Sequence, residues 1–252
     1  MVELARRLEH SEDVVVATAV RTQGEPPCRP GYKLLVGPSG PLAGTLGCAE
    51  LDSQALADVP TVLEAGVASL RTYRHDLGAV EAWLEPYLGR PLLVVLGATP
   101  VAGWLLRWAP DLGWDTSLVE SRPERINGEL RSAAGRVVTS PAALDLSHRR
   151  RPLDAVHTDH DAPDVADHLA ILLRAGARFV GVMGSRRHVG HHLEALARAG
   201  LGPSDVARVQ SPVGLDLGGA SPAEIALSIL SGLVASRSGR EGGFLDSSRD
   251  GA

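Results

Sequence analysis

Three stretches of the chain combine small residues, cations or a thiol at a strand-to-helix corner, where main-chain amides and side chains are available for chemistry. The apolar run Leu92 to Leu96 leads into Gly97-Ala98-Thr99-Pro100-Val101-Ala102 and then a helical pattern. A Rossmann domain seats a diphosphate at such a corner, on the N-terminus of its first helix. Gly97 and Ala102 fill the first and third small positions, and Thr99 takes the middle one, where glycine normally lets the backbone approach a pyrophosphate. Glu120 follows Gly97 by 23 residues, close to the spacing of the acid that bonds a ribose hydroxyl. These residues suit an NAD(P)-dependent oxidoreductase, or equally a Rossmann-shaped domain whose site stays empty. Thr99 argues against the first, as does the lack of a recognisable proton donor among the histidines.

A second corner, Gly184-Ser185-Arg186-Arg187-His188, follows the strand-like run Phe179 to Met183. In a parallel sheet it shares the carboxyl edge with Gly97, so two helix N-termini and two guanidinium groups are expected to converge on one anion. The plainer alternative is solvated surface charge. A third corner, Gly47-Cys48-Ala49-Glu50, puts a thiol where helix amides stabilise a thiolate. Nucleophile, sulfur carrier, metal-proximal ligand and small buried hydrophobe are all open readings for Cys48. The pentad His157-Thr158-Asp159-His160-Asp161 offers imidazole and carboxylate donors, but lacks HxxxH or HxH spacing. A solvated loop is preferred there over a metal site.

The elements that must carry these corners fall into two groups. Val14 to Val20 reads as a strand, Arg21 to Gly31 as a Pro- and Gly-rich loop, and Lys33–Val36 with Leu42–Leu46 as a hairpin about Gly37-Pro38-Ser39-Gly40. Helices are expected near 2–10 and 51–66. From Leu92 the pattern changes to fully apolar runs at 116–119, 137–138, 155–156 and 179–183, separated by helix-length segments, which is βαβ alternation. Ser221-Pro222-Ala223-Glu224 is a capping box with proline at the first helical position, and Ile225, Ile229 and Leu233 then share one face. The fold class is thus α/β: a small N-terminal α+β domain (1–88), then a Rossmann-like doubly wound parallel-sheet domain (89–238). The Gly-rich tail 239–252 is expected to be disordered.

Composition narrows the partners. The 252 residues are 44% apolar and 22% charged, enough for a full core, and 25 basic against 30 acidic residues give a net charge of −5. No basic excess steers nucleic acid or an anionic membrane surface. No run of eighteen apolar residues occurs and Met1 to Arg7 has no apolar signal core, so a cytoplasmic location is expected. Cys28 and Cys48 are too few for a disulfide framework.

Taken together these motifs resemble the XdhC/CoxI family. The match is densest in Gly184-Ser185-Arg186-Arg187, then Pro212-Val213-Gly214-Leu215-Asp216-Leu217-Gly218, then Ser221 to Leu230. It continues at the amino end in Ala17-Thr18-Ala19-Val20-Arg21-Thr22, Pro26 to Gly31, Gly44 to Glu50 and Val80 to Pro86. The resemblance implies a protein that binds the molybdenum cofactor (molybdopterin) transiently, shields it, supports its sulfuration by a cysteine desulfurase and hands it to an apo molybdenum hydroxylase such as xanthine dehydrogenase. It implies a maturation factor more than an enzyme, with a homodimer expected. Carried onto this sequence, the cofactor-binding residues are Gly97, Thr99, Ala102, Glu120, Gly184, Ser185, Arg186, Arg187, Gly214 and Asp216. Cys48 takes the metal end and is expected to face the same cleft as Gly97 and Gly184. The chain departs from the family pattern at Leu46, where a second glycine is usual, at Thr99, and at Asp76-Leu77-Gly78-Ala79, where a Cys-Gly-Gly segment is common. A divergent member serving another molybdoenzyme remains open.

Overall fold

The computed structural model describes residues 2–9, 12–144, 146, 152–184 and 186–245. The chain divides into two compact units, Met1–Arg90 and Pro91–Ala252.

The first unit holds α1 (Val2–Glu9), β1 (Val14–Gly24), β2 (Lys33–Gly37), β3 (Gly40–Gly44), α2 (Ala49–Ala65), β4 (Ser69–His75) and β5 (Gly78–Tyr87). Its strands form one antiparallel sheet in the order β3-β2-β1-β5-β4. Strand alternation divides β1 between two cores. Val15, Ala17 and Ala19 pack with Leu51, Ala55, Val59 and Val62 of α2, and Val14 and Val16 pack with Leu4 and Leu35. β1 runs further than its composition suggests. Arg21 to Gly24, expected as loop, pair with Glu81 to Gly78 of β5 after a bulge at Val20, so cross-strand pairing overrides local propensity. Gly24 closes the pairing at φ +76, with the Leu77 carbonyl where a Cβ would lie.

The second unit contains six parallel strands: β6 (Leu92–Leu96), β7 (Asp115–Val119), β8 (Arg136–Val138), β9 (Leu153–His157), β10 (Phe179–Val182) and β11 (Val209–Gln210). Their order, β11-β10-β9-β6-β7-β8, is that of a Rossmann sheet, whose order reverses between β6 and β9. Helices cover both faces: α3 (Pro100–Trp108), α4 (Gly128–Ala133) and α8 (Pro222–Arg237) on one, α5 (Val165–Arg174) and α6 (Arg186–Arg198) on the other, with short α7 (Pro203–Ala207) before β11. Hence β6 is apolar throughout. Leu92, Val94 and Leu96 enter the α5/α6 core while Leu93 and Val95 enter the α3/α8 core. The Ser221 capping box of α8 is complete: Glu224 N donates to the Ser221 hydroxyl, and the Glu224 carboxylate accepts from Ser221 N. Residues 239–245 continue past α8 without regular structure, with Gly242 against Leu215. Residues 246–252 lie outside the described residues.

A buried carboxylate ties this sheet together at its amino end. Asp154 of β9 is fully buried and accepts from Trp114 Nε1 at 2.8 Å and from Arg178 Nη2 and Nε at 2.6 and 3.1 Å. Asp154→Ala strands the buried Trp114 donor, while exposed Arg178 regains water, and should cost about 1–3 kcal/mol. Trp114→Phe leaves Arg178 in place to satisfy Asp154 and should cost less. Urea unfolding of both variants, followed by circular dichroism, tests the ranking.

Candidate functional site

The carboxyl ends of β6, β7, β9 and β10 bring together most of the residues singled out by spacing. Gly97 turns the chain at φ +92 and Thr99 caps α3, its hydroxyl accepting from Ala102 N at 3.2 Å and bonding Thr158 Oγ1 at 2.9 Å. Thr158 also donates to the carbonyls of Leu96 and Gly97, both at 3.0 Å. The α3 N-terminus is therefore held by its own threonine and by the segment after β9. That segment closes over Gly97, where a Cβ would lie 2.8 Å from Asp159 Cβ.

Glu120 sits where its spacing places it, at the end of β7, and is 2% exposed. Its oxygens are engaged internally, accepting from Ala98 N at 2.8 Å, Arg122 Nε at 2.8 Å and Arg122 N at 3.1 Å. Arg122 and Arg125 in turn hold Asp159 Oδ2 at 2.8 and 2.6 Å. Burial alone would raise the Glu120 and Asp159 pKa values, yet both are lowered by these guanidinium groups, helped for Glu120 by the Ala98 and Arg122 amides. The outcome is two arginines matched by two carboxylates at the position where a dinucleotide-binding Rossmann domain receives its ribose and pyrophosphate. Sequence reasoning missed Arg122 and Arg125, since their role depends on Asp159, which spacing alone does not bring near.

The Gly184 corner is built differently. Gly184, at φ +123, follows β10 and has His160 and Val189 against it, and its carbonyl accepts from Ser211 Oγ at 2.8 Å. The His160 carbonyl meets His192 Nε2 at 2.9 Å. α6 begins at Arg186 with no acidic residue in its first turn, and Arg187 is exposed. Ser185 and the side chain of Arg186 lie outside the described residues. The loop after β11 packs close: Val213 covers Gly181, and Gly214, at φ +102, lies against Ser228 of α8. Asp216 is exposed and joins Trp108, Leu112, Leu227 and Phe244 around a groove of about 1250 Å³. Trp108 ends α3, about 13 Å of helix from Thr99, so Asp216 stands apart from the Gly97 corner.

The pentad after β9 is divided among these tasks. His157 and Thr158 are buried, Asp159 binds the arginines, His160 meets Gly184, and Asp161 is exposed. Among the described residues, the group able to gather around a metal ion is instead His157 with Asp164 and His168, the latter two from the start of α5.

In the first unit Cys48 stands at the N-cap of α2 with extended backbone (φ −156, ψ 164), half-buried, its thiol making no capping bond. Asp52 fixes the approach by accepting from Leu46 N at 2.6 Å and Thr45 Oγ1 at 2.8 Å. Gly47 has to be glycine, because the Pro27 carbonyl occupies the place of a Cβ. Cys28 is buried beside this corner; burial and then neighbouring Cys48 push its thiol pKa up. Both cysteines are free.

Residues 93–233 match the XdhC Rossmann domain and residues 7–74 match the XdhC and CoxI family. The chain belongs to the XdhC and CoxI family. It is 25% identical over 261 residues to the uncharacterized protein YqeB of Escherichia coli (strain K12), covering 96% of this chain. It spans about half the length of that curated relative, 47%. A crystal structure of a xanthine dehydrogenase from Bacillus halodurans shares the fold at 18% identity, with a TM-score of 0.51 over 99% of this chain and 98% of that one. Among the described residues no helix is long and apolar enough to cross a membrane.

The network about Glu120 predicts a pH signature. Its folded pKa lies below the ordinary carboxylate value, so its stabilising effect is present above pH ~4.3 and is lost as pH falls through the folded value. Glu120→Gln should destabilise the second unit by about 1–3 kcal/mol at neutral pH. Urea midpoints of wild type and variant should converge in acid as pH falls through the folded value.

Proposed function

We propose that this chain is an accessory factor for the maturation of a molybdenum hydroxylase, binding the molybdenum cofactor in transit and assisting its sulfuration and delivery. Family membership supports the class of role. The observation that carries the reading within this chain is the contrast between the two glycine corners on one sheet edge. At Gly97 the amides and carboxylates satisfy one another. At Gly184 a helix of thirteen residues starts without acidic side chains and with an exposed arginine in its first turn, chemistry that suits a phosphate monoester. The pterin phosphate is therefore assigned to Gly184–Arg187, with Gly97, Thr99, Ala102 and Glu120 forming the wall behind it. When bound, the cofactor would supply the molybdenum and dithiolene chemistry that the client enzyme uses; this chain would bind the phosphate and shield the group from water and oxidant.

Cys48 is the residue proposed for the metal end. A half-buried thiol with no capping bond, on a corner fixed by Asp52 and Gly47, can hold a soft metal reversibly. A desulfurase, the apo-hydroxylase client, a homodimeric state and a cytoplasmic setting complete the proposal.

Two measurements test it. Arg186→Ala and Arg187→Ala should each weaken binding of a phosphorylated pterin by about tenfold or more, the equivalent of ~1.5–3 kcal/mol, with thermal unfolding unchanged. Unchanged affinity in both variants removes the phosphate from this corner. Activation of an apo molybdenum hydroxylase should fall with Cys48→Ser and persist with Cys28→Ser, provided both remain folded. Full activation by folded Cys48→Ser would make Cys48 a packing residue. Mass spectrometry of whatever co-purifies anaerobically identifies the ligand directly.

A further inference from the structure

His157, Asp164 and His168 form a cluster that the proposed cofactor path leaves unused. One ligand atom from each can be chosen so that all lie within 4.8 Å of one another. His157 ends the central strand β9 and is 1% exposed; His168 lies in the first turns of α5 and is 5% exposed. Their rings stack at 6.1 Å between centroids. Asp164 occupies the N-cap position of α5, one helical turn before His168, and its Oδ2 stands 3.5 Å from His168 Nε2.

The hydrogen bonding of the two rings is incomplete. Among the described residues, His157 Nε2 and His168 Nδ1 are buried and find no hydrogen-bond partner. Buried polar atoms are almost always paired, and each one left unmade costs stability, so two orphans on adjacent imidazoles need a reason. A purely structural core would be served better by phenylalanine or leucine at the same volume. The other contact of His157, from Asp159 N to Nδ1, is long at 3.4 Å, and ligation through Nε2 would move the ring proton to Nδ1 and give up that contact. Ser121 hydrogen-bonds the Asp164 carboxylate, the supporting contact that orients a ligating acid.

We propose that His157, Asp164 and His168 bind one divalent transition-metal ion through two imidazole nitrogens and one carboxylate oxygen. Two nitrogens and one oxygen match zinc and other borderline divalent metals, and do not match calcium or magnesium, which take oxygen ligands. Three protein ligands leave at least one position for water or an exogenous anion, as in open zinc sites. The ion would lie at the carboxyl end of β9, on the edge where doubly wound sheets bind their ligands. The inference does not depend on the cofactor reading and stands or falls by separate measurements.

The test uses the full chain, stripped with a chelator and titrated with zinc by calorimetry and with cobalt by visible absorption. Wild type should bind one ion per chain and show cobalt d–d bands with nitrogen ligation, and zinc should raise its thermal midpoint. Asp164→Asn, which is isosteric at a partly exposed position, and His168→Gln should each reduce affinity at least tenfold and abolish the thermal shift. His191→Ala, on an exposed histidine of α6, should change neither. Should His157→Ala fail to fold, the Asp164 and His168 variants still decide. Failure of wild type to bind one zinc per chain, or binding indifferent to Asp164→Asn and His168→Gln, overturns the proposal.

Discussion

The carboxylate of Asp159, gripped by Arg122 and Arg125, fixes the segment after β9 across the carboxyl edge of the parallel sheet. Much of the edge follows from that grip. With Asp159 held, its Cβ closes on Gly97, Thr158 locks onto the Thr99 hydroxyl and the Gly97 carbonyl, and His160 is set against Gly184. Breaking these ion pairs costs more than on an open surface, because Asp159 is only 13% exposed and the adjoining Glu120 is sealed. The network is balanced in charge, two arginines against two acids, so the edge gains rigidity without gaining a field for anions.

This arrangement explains how a domain keeps Rossmann topology while setting its first corner to another use. In a dinucleotide site, the glycine after the first strand, the amides of the first helix and the acid after the second strand all face the ligand. Here each finds a partner within the chain: Gly97 packs under Asp159, Ala102 N is capped by Thr99, and Glu120 takes Ala98 N and Arg122. Thr99 is central, since a glycine at that position would leave Ala102 N uncapped and remove the hydroxyl that donates to Thr158 Oγ1.

The fold was largely legible because its strongest signals are local. A five-residue run buried on both faces, a capping box with proline at the first helical position and a Gly-Pro-Ser-Gly turn each specify an element by chemistry within a few residues. Elements whose stability comes from distant partners were not legible. Arg21 to Gly24 read as loop until paired with β5; β4 is a partly exposed edge strand of mixed composition; and β11 is two residues long, held by Val180 and Gly181. The site divides the same way. Spacing located Gly97, Glu120 and Gly184, yet whether each is free or engaged depends on Asp159 and His160, which arrive from another βα unit. The histidine pentad drew attention to the right segment for a different reason, because neighbours in a loop point different ways and only His157 meets Asp164 and His168. The one local clue was the four-residue spacing of Asp164 and His168, which puts both on one helical face.

The same segment also orders what the second unit can bind. Because Asp159 and Thr158 are committed at Gly97, the proposed anion site lies toward α6, whose first turn carries no acidic residue. On the α5 side of β9, His157 Nε2 and His168 Nδ1 are buried without a hydrogen-bond partner among the described residues. An anion site and a cation site can thus lie on one strand end without cancelling, since the residues between them, Thr158 and Asp159, are already satisfied and contribute no free charge to either. Freeing Asp159 would release its negative charge and the segment that closes over Gly97 and sets His160 against Gly184, while His157 stays fixed by its ladder pairing with Leu96 and Val182. Asp159 is therefore the residue through which the stability of the sheet edge and its chemistry are coupled.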